Sequence, residues 1–302
     1  MLFCKLLRAA RRSHRLVLLP LAAAASLHAV SAAAQSQREN WTKPTEPFTL
    51  IGNIHYVGTA GLASFLITTD QGHILLDGAL PESVAQIEAN IKTLGFKLAD
   101  IKYLLNSHAH FDHSGGLAQL KQDTRATLVA SEGDRSALEG GFYLGSEQIA
   151  ALKAPPVKVD RVIADGETLK LGSTVLTANL TPGHTRGCTS WSMPVSERGE
   201  AQQVLFFCSS TVAFNRLVNP PQYPGIVEDY EKTFAKAKTL EVDVFLAAHP
   251  EFFGMAEKRA RQRAGGSNPF IDPQEFRAYM VKSQADFHRQ LVEQQARAKA
   301  AP

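Results

Sequence analysis

Strand and helix signals alternate along this chain in two similar halves, and each half ends in a strand-to-loop junction that carries a histidine. In the first half "FTLIGNIHYVG", "LASFLITT" and "HILLDG" read as a β-meander, with "DQG" as the tight turn between the last two. A helix follows in "PESVAQIEANIKTLGF": Pro81 suits its first turn, Val84, Ile87, Ile91 and Leu94 recur at helical spacing, and Gly95 stops it. "IKYLL" is then a buried strand, "GGLAQLKQ" a short helix, "ATLVAS" a strand and "EGDRSALEGG" a helix closed by glycines. The second half gives a hairpin in "ETLKLGSTVLTANLTP", an antiparallel pair in "CTSWSMPV" and "QVLFFCSS", a helix in "DYEKTFAKAKTL" and a strand in "VDVFLAAH". From Pro273 to about Lys299 the tail is a long amphipathic helix, with Phe276, Met280, Phe287 and Leu291 near one face as core residues. Every such element needs its apolar face covered, and helices on both outer faces of two packed sheets do this, with the junctions along one rim.

The first 34 residues stand apart. Lys5, Arg8, Arg11, Arg12 and Arg15 precede the apolar run "LVLLPLAAAASLHAV", and small residues lead to Ala34. That order is the order of a secretory signal peptide, so residues 1–34 are expected to be a leader and 35–302 a single catalytic domain in the periplasm. A membrane anchor fits less well: the run is short of the roughly 20 residues a spanning helix needs, and Pro20 interrupts it. Losing the leader's five basic and no acidic residues takes the formal charge from +3 to −2. No basic stripe with interleaved aromatics remains, which argues against nucleic acid as a partner; a monomer acting on a small molecule is expected, without membrane attachment. Cys188 and Cys208 are the two cysteines left, and an oxidising compartment permits one bridge between them without requiring it.

The chemistry concentrates in "NSHAHFDHSGG", directly after the buried strand. His108 and His110 are two apart, so at a strand end their rings point to one side and can share a metal. Asp112 and His113 follow where the chain turns, and aim at a neighbouring position. His184 in "TPGHTRG" and His249 in "AAHPEFF" stand beside Pro and Gly at strand ends, where a ligand faces a cleft. His55, His73 and His288 lack such neighbours and read as core or surface histidines. Nitrogen and carboxylate donors without paired thiolates suit Zn²⁺, with iron or manganese still open. Two ions sharing a water would lower its pKa from about 16 toward 7 and make the site hydrolytic.

"SHAHFDHSGG", "GHTRGCTSW" and the final His249 resemble the metallo-β-lactamase superfamily, and within it the subclass B3 metallo-β-lactamases. The resemblance implies an α/β fold, a four-layer αββα sandwich with a dinuclear site on one edge. It implies His108, His110 and His184 as ligands of a first zinc and Asp112, His113 and His249 as ligands of a second. It also implies that Asp112 orients the nucleophile that opens a β-lactam. Thioesterases and lactonases of the superfamily carry a bridging aspartate where "FFCSST" places Ser209, and their readings lose ground here. Cys208 is an alternative ligand in another subclass, but strand alternation and His113 argue against it. Ser209 and Thr211 share a face by the same alternation and are the expected contacts to the antibiotic carboxylate. Phe142 and Tyr143, in the irregular excursion "GGFYLGSEQ", are either a wall of the cleft or a packed loop.

Overall fold

The computed structural model describes residues 36–300. The expected leader, residues 1–34, lies outside them. One compact unit begins at Asn40. Its first half is the antiparallel meander β1 (Phe48–Ile51), β2 (Ile54–Tyr56), β3 (Phe65–Thr69) and β4 (Gly72–Leu76). Helix α1 (Val84–Thr93) then crosses to a parallel strand, β5 (Ile101–Leu105). The second half repeats the plan. A meander of β8 (Thr168–Leu171), β9 (Thr174–Leu180), β10 (Thr189–Glu197) and β11 (Glu200–Phe207) is followed by α5 (Ile226–Ala237) and a parallel strand, β12 (Val244–Ala247).

The first half goes further. After β5 come the one-turn helix α2 (Phe111–Ser114), α3 (Leu117–Thr124), β6 (Thr127–Ser131), α4 (Glu132–Gly140) and β7 (Arg161–Ile163). The sheets are therefore seven and five strands wide, in the orders β1 to β7 and β12-β11-β10-β9-β8. Helices α6 (Met255–Ala264) and α7 (Glu275–Ala300) complete the chain. Neither β7 nor α6 was legible as an element. β7 is three residues with one buried, too short for alternation to show, and α6 buries only Met255 and Lys258, so no apolar stripe marks it.

Strand alternation divides the first sheet cleanly. Leu66, Leu75, Leu104 and Leu128 face outward and pack with Ile87 and Ile91 of α1, Leu117 and Leu120 of α3, and Leu138 of α4. Their neighbours Phe65, Ile67, Ile74, Leu76, Leu105 and Val129 face inward against Leu176, Trp191 and Phe206 of the second sheet. The Phe65 and Phe206 rings meet at 5.1 Å. On the far side Phe207 and Phe245 receive Phe276 and Tyr279 of α7, at 5.0 to 6.0 Å. Helix, sheet, sheet and helix are four layers, as expected. Among the described residues no helix is long and apolar enough to cross a membrane.

Cys188 and Cys208 are joined, at the start of β10 and the end of β11. The bond settles the open alternative of a Cys208 ligand, because a disulfide sulfur has no thiolate to offer a metal.

Candidate metal centre

β5 ends at Leu105 and the chain leaves the sheet extended through His110, so His108 and His110 swing to the same side of the rim. Their rings meet edge to face at 4.8 Å, and His184, delivered four residues after β9, closes on both at 4.6 and 4.5 Å. The Nε2 atoms of His108 and His184 are 3.2 Å apart, and the donors of all three lie within 4.8 Å of one another.

Asp112 and His113 belong to the single turn of α2, and His249 follows β12. The Oδ2 of Asp112 is 3.3 Å from Nε2 of His113 and 3.4 Å from Nε2 of His249, and the two nitrogens are 3.1 Å apart. A tetrahedral ion with bonds of about 2.0–2.1 Å needs donors roughly 3.3 Å apart, and this triangle has that edge. The two triads adjoin, with the His108 and His113 rings 4.3 Å apart. All six expected ligands are thus brought together, in the expected threes.

Burial holds His108 and His110 well below the ordinary imidazole pKa and brings His184 down to about 4, so these rings are neutral with lone pairs free. In the second triad burial opposes charge on both partners, yet the pair wins. The His113 and His249 rings hold the Asp112 carboxyl far below its usual range, and Asp112 with Asp77 raises His113. A cation or a proton is what this triad accommodates.

Neighbours orient the first triad. Ser107 Oγ is 3.0 Å from Nδ1 of His108, and Nδ1 of His184 donates to the carbonyl of Thr211 at 2.7 Å. Such partners fix the tautomer and aim the other nitrogen inward. In the second triad the Nδ1 atoms of His113 and His249 are buried with no hydrogen-bond partner. Packing holds His249 instead, between Trp41 at 5.7 Å and Phe252 at 5.3 Å.

Ser209 and Thr211 do lie together beside His184, with hydroxyls 3.2 Å apart and Thr211 Oγ1 3.2 Å from His184 Nδ1. The expected reason is corrected: β11 ends at Phe207, so a turn, not strand alternation, brings them to one side. The excursion resolves into two roles. Tyr143 stacks on His110, centroids 4.1 Å apart and planes 11° apart, and its hydroxyl donates to Oδ1 of Asn215 at 2.8 Å. Phe142 instead packs against the core beneath α1 to α4.

Several residues of the site carry no sequence signal. Asn215 donates to the carbonyl of His184 at 2.9 Å, and the Tyr230 hydroxyl donates to the carbonyl of Thr211 at 2.7 Å. Asp77, immediately after β4 at φ 63°, accepts from the amide of Ser107 at 2.7 Å and from Asn106 at 3.3 Å. Asp134, in the first turn of α4, accepts from Ala109, Thr185 and Gly187. Burial raises both carboxyls to about 6. Asp77 alone had a hint, since "LLDG" sets it at the end of a buried strand.

Residues 61–249 match the family model of the metallo-beta-lactamase superfamily. Among solved structures the chain is similar to BJP-1, a subclass B3 metallo-beta-lactamase of Bradyrhizobium japonicum. They share 53% identity at a TM-score of 0.85, over 86% of this chain and 99% of that one. It is also similar to the native FEZ-1 metallo-beta-lactamase from Legionella gormanii, at 39% identity and a TM-score of 0.81, over 84% and 98% of the two chains. A curated hydroxyacylglutathione hydrolase of Rhodospirillum rubrum is 26% identical over 138 residues, a stretch that spans 42% of that relative's length. The chain belongs to the metallo-β-lactamase superfamily, and the solved structures it matches over nearly their whole length are of subclass B3.

Proposed function

We propose that this protein is an exported zinc-dependent β-lactamase, which hydrolyses the amide bond of penicillins, cephalosporins and carbapenems. The observation that carries the reading is the pair of adjoining triads, three histidines beside an Asp-His-His set whose donors stand 3.1 to 3.4 Å apart. The triads fit two zinc ions per chain, His108, His110 and His184 holding one and Asp112, His113 and His249 the other. Bound there, zinc supplies a hydroxide nucleophile at neutral pH and polarises the amide carbonyl.

The chain's own residues do the rest. Burial keeps the histidines of the first triad neutral, so they bind as lone-pair donors and compete little with protons. Asp112 is the single carboxylate in the two triads; with Oδ2 set toward His113 and His249, it stays ionised and orients the nucleophile. Ser209 and Thr211 offer two hydroxyls 3.2 Å apart to the substrate carboxylate. A serine at 209 leaves no carboxylate at the place where the thioesterases and lactonases have theirs. Export is supported by the order of residues 1–34 and by the Cys188–Cys208 bond, which suits an oxidising compartment.

The test is turnover of nitrocefin and a carbapenem by the purified mature protein, beside an acyl-homoserine lactone and a glutathione thioester. Lactam turnover that a chelator abolishes and zinc restores is the expected result. Zinc-loaded, folded protein that leaves the lactams intact sinks the reading, and thioester or lactone turnover in its place assigns the site to the other hydrolases of the superfamily.

A further inference from the structure

The 108–110 loop and the 184–187 loop come from different sheets, yet the first triad needs His108, His110 and His184 within 4.8 Å of one another. One buried side chain touches both loops. Asp134 Oδ2 accepts from the amide of Ala109, the residue between the two histidines, at 2.9 Å, and from the Thr185 hydroxyl, next to His184, at 2.8 Å. Its Oδ1 accepts from the amide of Gly187 at 2.9 Å. Asp134 is 2% exposed and enters no ion pair among the described residues. A buried carboxylate without a cation is retained where its fixed donors compensate it.

The approach is close on both sides. A Cβ on Gly187 would run into the amide of Asp134, and one on Gly133 would meet the carbonyl of Arg186 at 2.6 Å. Two glycines therefore let α4 seat its first turn against the 184–187 loop, and the carboxylate spans what remains.

We infer that Asp134 is a positioning residue, a clasp that holds the two loops at the spacing the first metal requires. It makes no hydrogen bond to the triad histidines and acts through the Ala109 amide, between His108 and His110, and through Thr185 and Gly187 just beyond His184. An amide at this place keeps the shape but turns an NH₂ group toward a donor, so at least one of the three bonds is lost. The consequence falls on the first triad and spares the second, whose residues hang from α2 and β12.

The inference rests on the zinc reading above, and the test separates the two. Cobalt is titrated into the metal-free full-length mature protein and its absorption read for each site, for the parent chain, Asp134→Asn and Thr185→Val, with a melting curve for each. Two cobalt ions on the parent support the zinc reading, and none overturns it. For Asp134→Asn the expected result is first-site affinity down about 10- to 100-fold, the usual effect of losing an outer partner, with the second site unchanged. Thr185→Val, which removes one bond only, is expected to show a smaller loss at the same site. Asp243→Asn is the control, since Asp243 accepts from the Gln203 amide at 2.7 Å away from the triads; it should lower the melting point and leave both affinities alone. Parent-like first-site affinity in folded Asp134→Asn overturns the clasp. Should that variant not fold, parent-like affinity in Thr185→Val overturns it and a selective first-site loss supports it.

Discussion

Breaking the Cys188–Cys208 bond should cost stability and spare activity. The bond closes a loop of sequence separation 20. In the chain-entropy model such a loop restrains the unfolded chain by about 3 kcal/mol. For a domain of this size 1 kcal/mol moves the melting point by about 2–4 °C, so the expected drop is roughly 6–12 °C. The native arrangement of the site has other supports. β10 and β11 stay paired from Trp191↔Phe206 to Glu197↔Glu200, and the amide of Thr189 still donates to the carbonyl of Ser107 at 2.8 Å. The assay compares the oxidised protein, the protein reduced by a phosphine in urea and refolded, and Cys188→Ala/Cys208→Ala, each by zinc content, nitrocefin turnover and melting. Reduction leaves both sulfurs in place, so it isolates the cross-link from the small cavities that the double substitution adds. A reduced protein that melts within about 2 °C of the oxidised one refutes the entropy argument. Loss of zinc in step with reduction refutes the independence of the site.

Asp112→Ala should lower nitrocefin kcat ~100-fold or more, the scale of a misplaced nucleophile, since it removes the group that orients it; a folded variant with near-parental kcat removes Asp112 from the mechanism. His55 gives a pH dependence: burial, aided by His73, lowers its pKa from 6.5 to about 4. Unfolded chain then binds a proton that folded chain does not between those values, so stability is full above pH 6.5 and falls as pH drops toward 4. Comparing urea midpoints at pH 7 and pH 5 for the parent and His55→Gln, the parent should lose more, by ~1 kcal/mol for a partly solvated group; equal losses contradict the assignment. Phe287→Ala should cost about 3–5 kcal/mol in urea melts, since this buried ring stacks on Tyr230 at 4.7 Å and meets Phe234 at 5.5 Å. A cost below ~1 kcal/mol would mean that α7 is not packed as described.

What could be read in the sequence had a local signature. The six residues of the two triads could be placed because each follows a buried strand or sits in the turn after one, where spacing and strand direction give the aim. The helices with apolar stripes were legible for the same reason, whereas α6, whose buried residues are Met255 and Lys258, had no stripe to show. The supports of the site were hidden because they act at a distance along the chain. Tyr143 meets Asn215 across 72 residues, and Asp134 reaches Gly187 across 53. No pattern within one segment encodes such a meeting. The pair Ser209 and Thr211 shows the converse: the right side was read from alternation, while the chain had already left the strand at Phe207.

One rule connects the legible and the hidden parts. Asp77, His108 and Asp134 follow the carboxyl ends of β4, β5 and β6, which run parallel in the first sheet. His184, Ser209 and His249 follow those of β9, β11 and β12, which share one direction in the second, since β9 and β11 are each antiparallel to β10 and β12 is parallel to β11. Six strand ends from two sheets thus lead to both triads, to Ser209 and to the two buried carboxyls on a single rim. Within a sheet, the ladder of hydrogen bonds fixes how far apart those groups stand. Between the sheets no ladder does: packing is joined there by single hydrogen bonds, such as Thr189 to Ser107 and Ala63 to Ala248, and the first triad draws on both sheets. The Asp134 carboxylate, which crosses from Ala109 in one sheet's loop to Gly187 in the other's, therefore sits where no ladder sets the spacing of the first triad. The site's vulnerability lies at that seam: substitutions there should shift metal affinity before stability, and substitutions within either sheet should do the reverse.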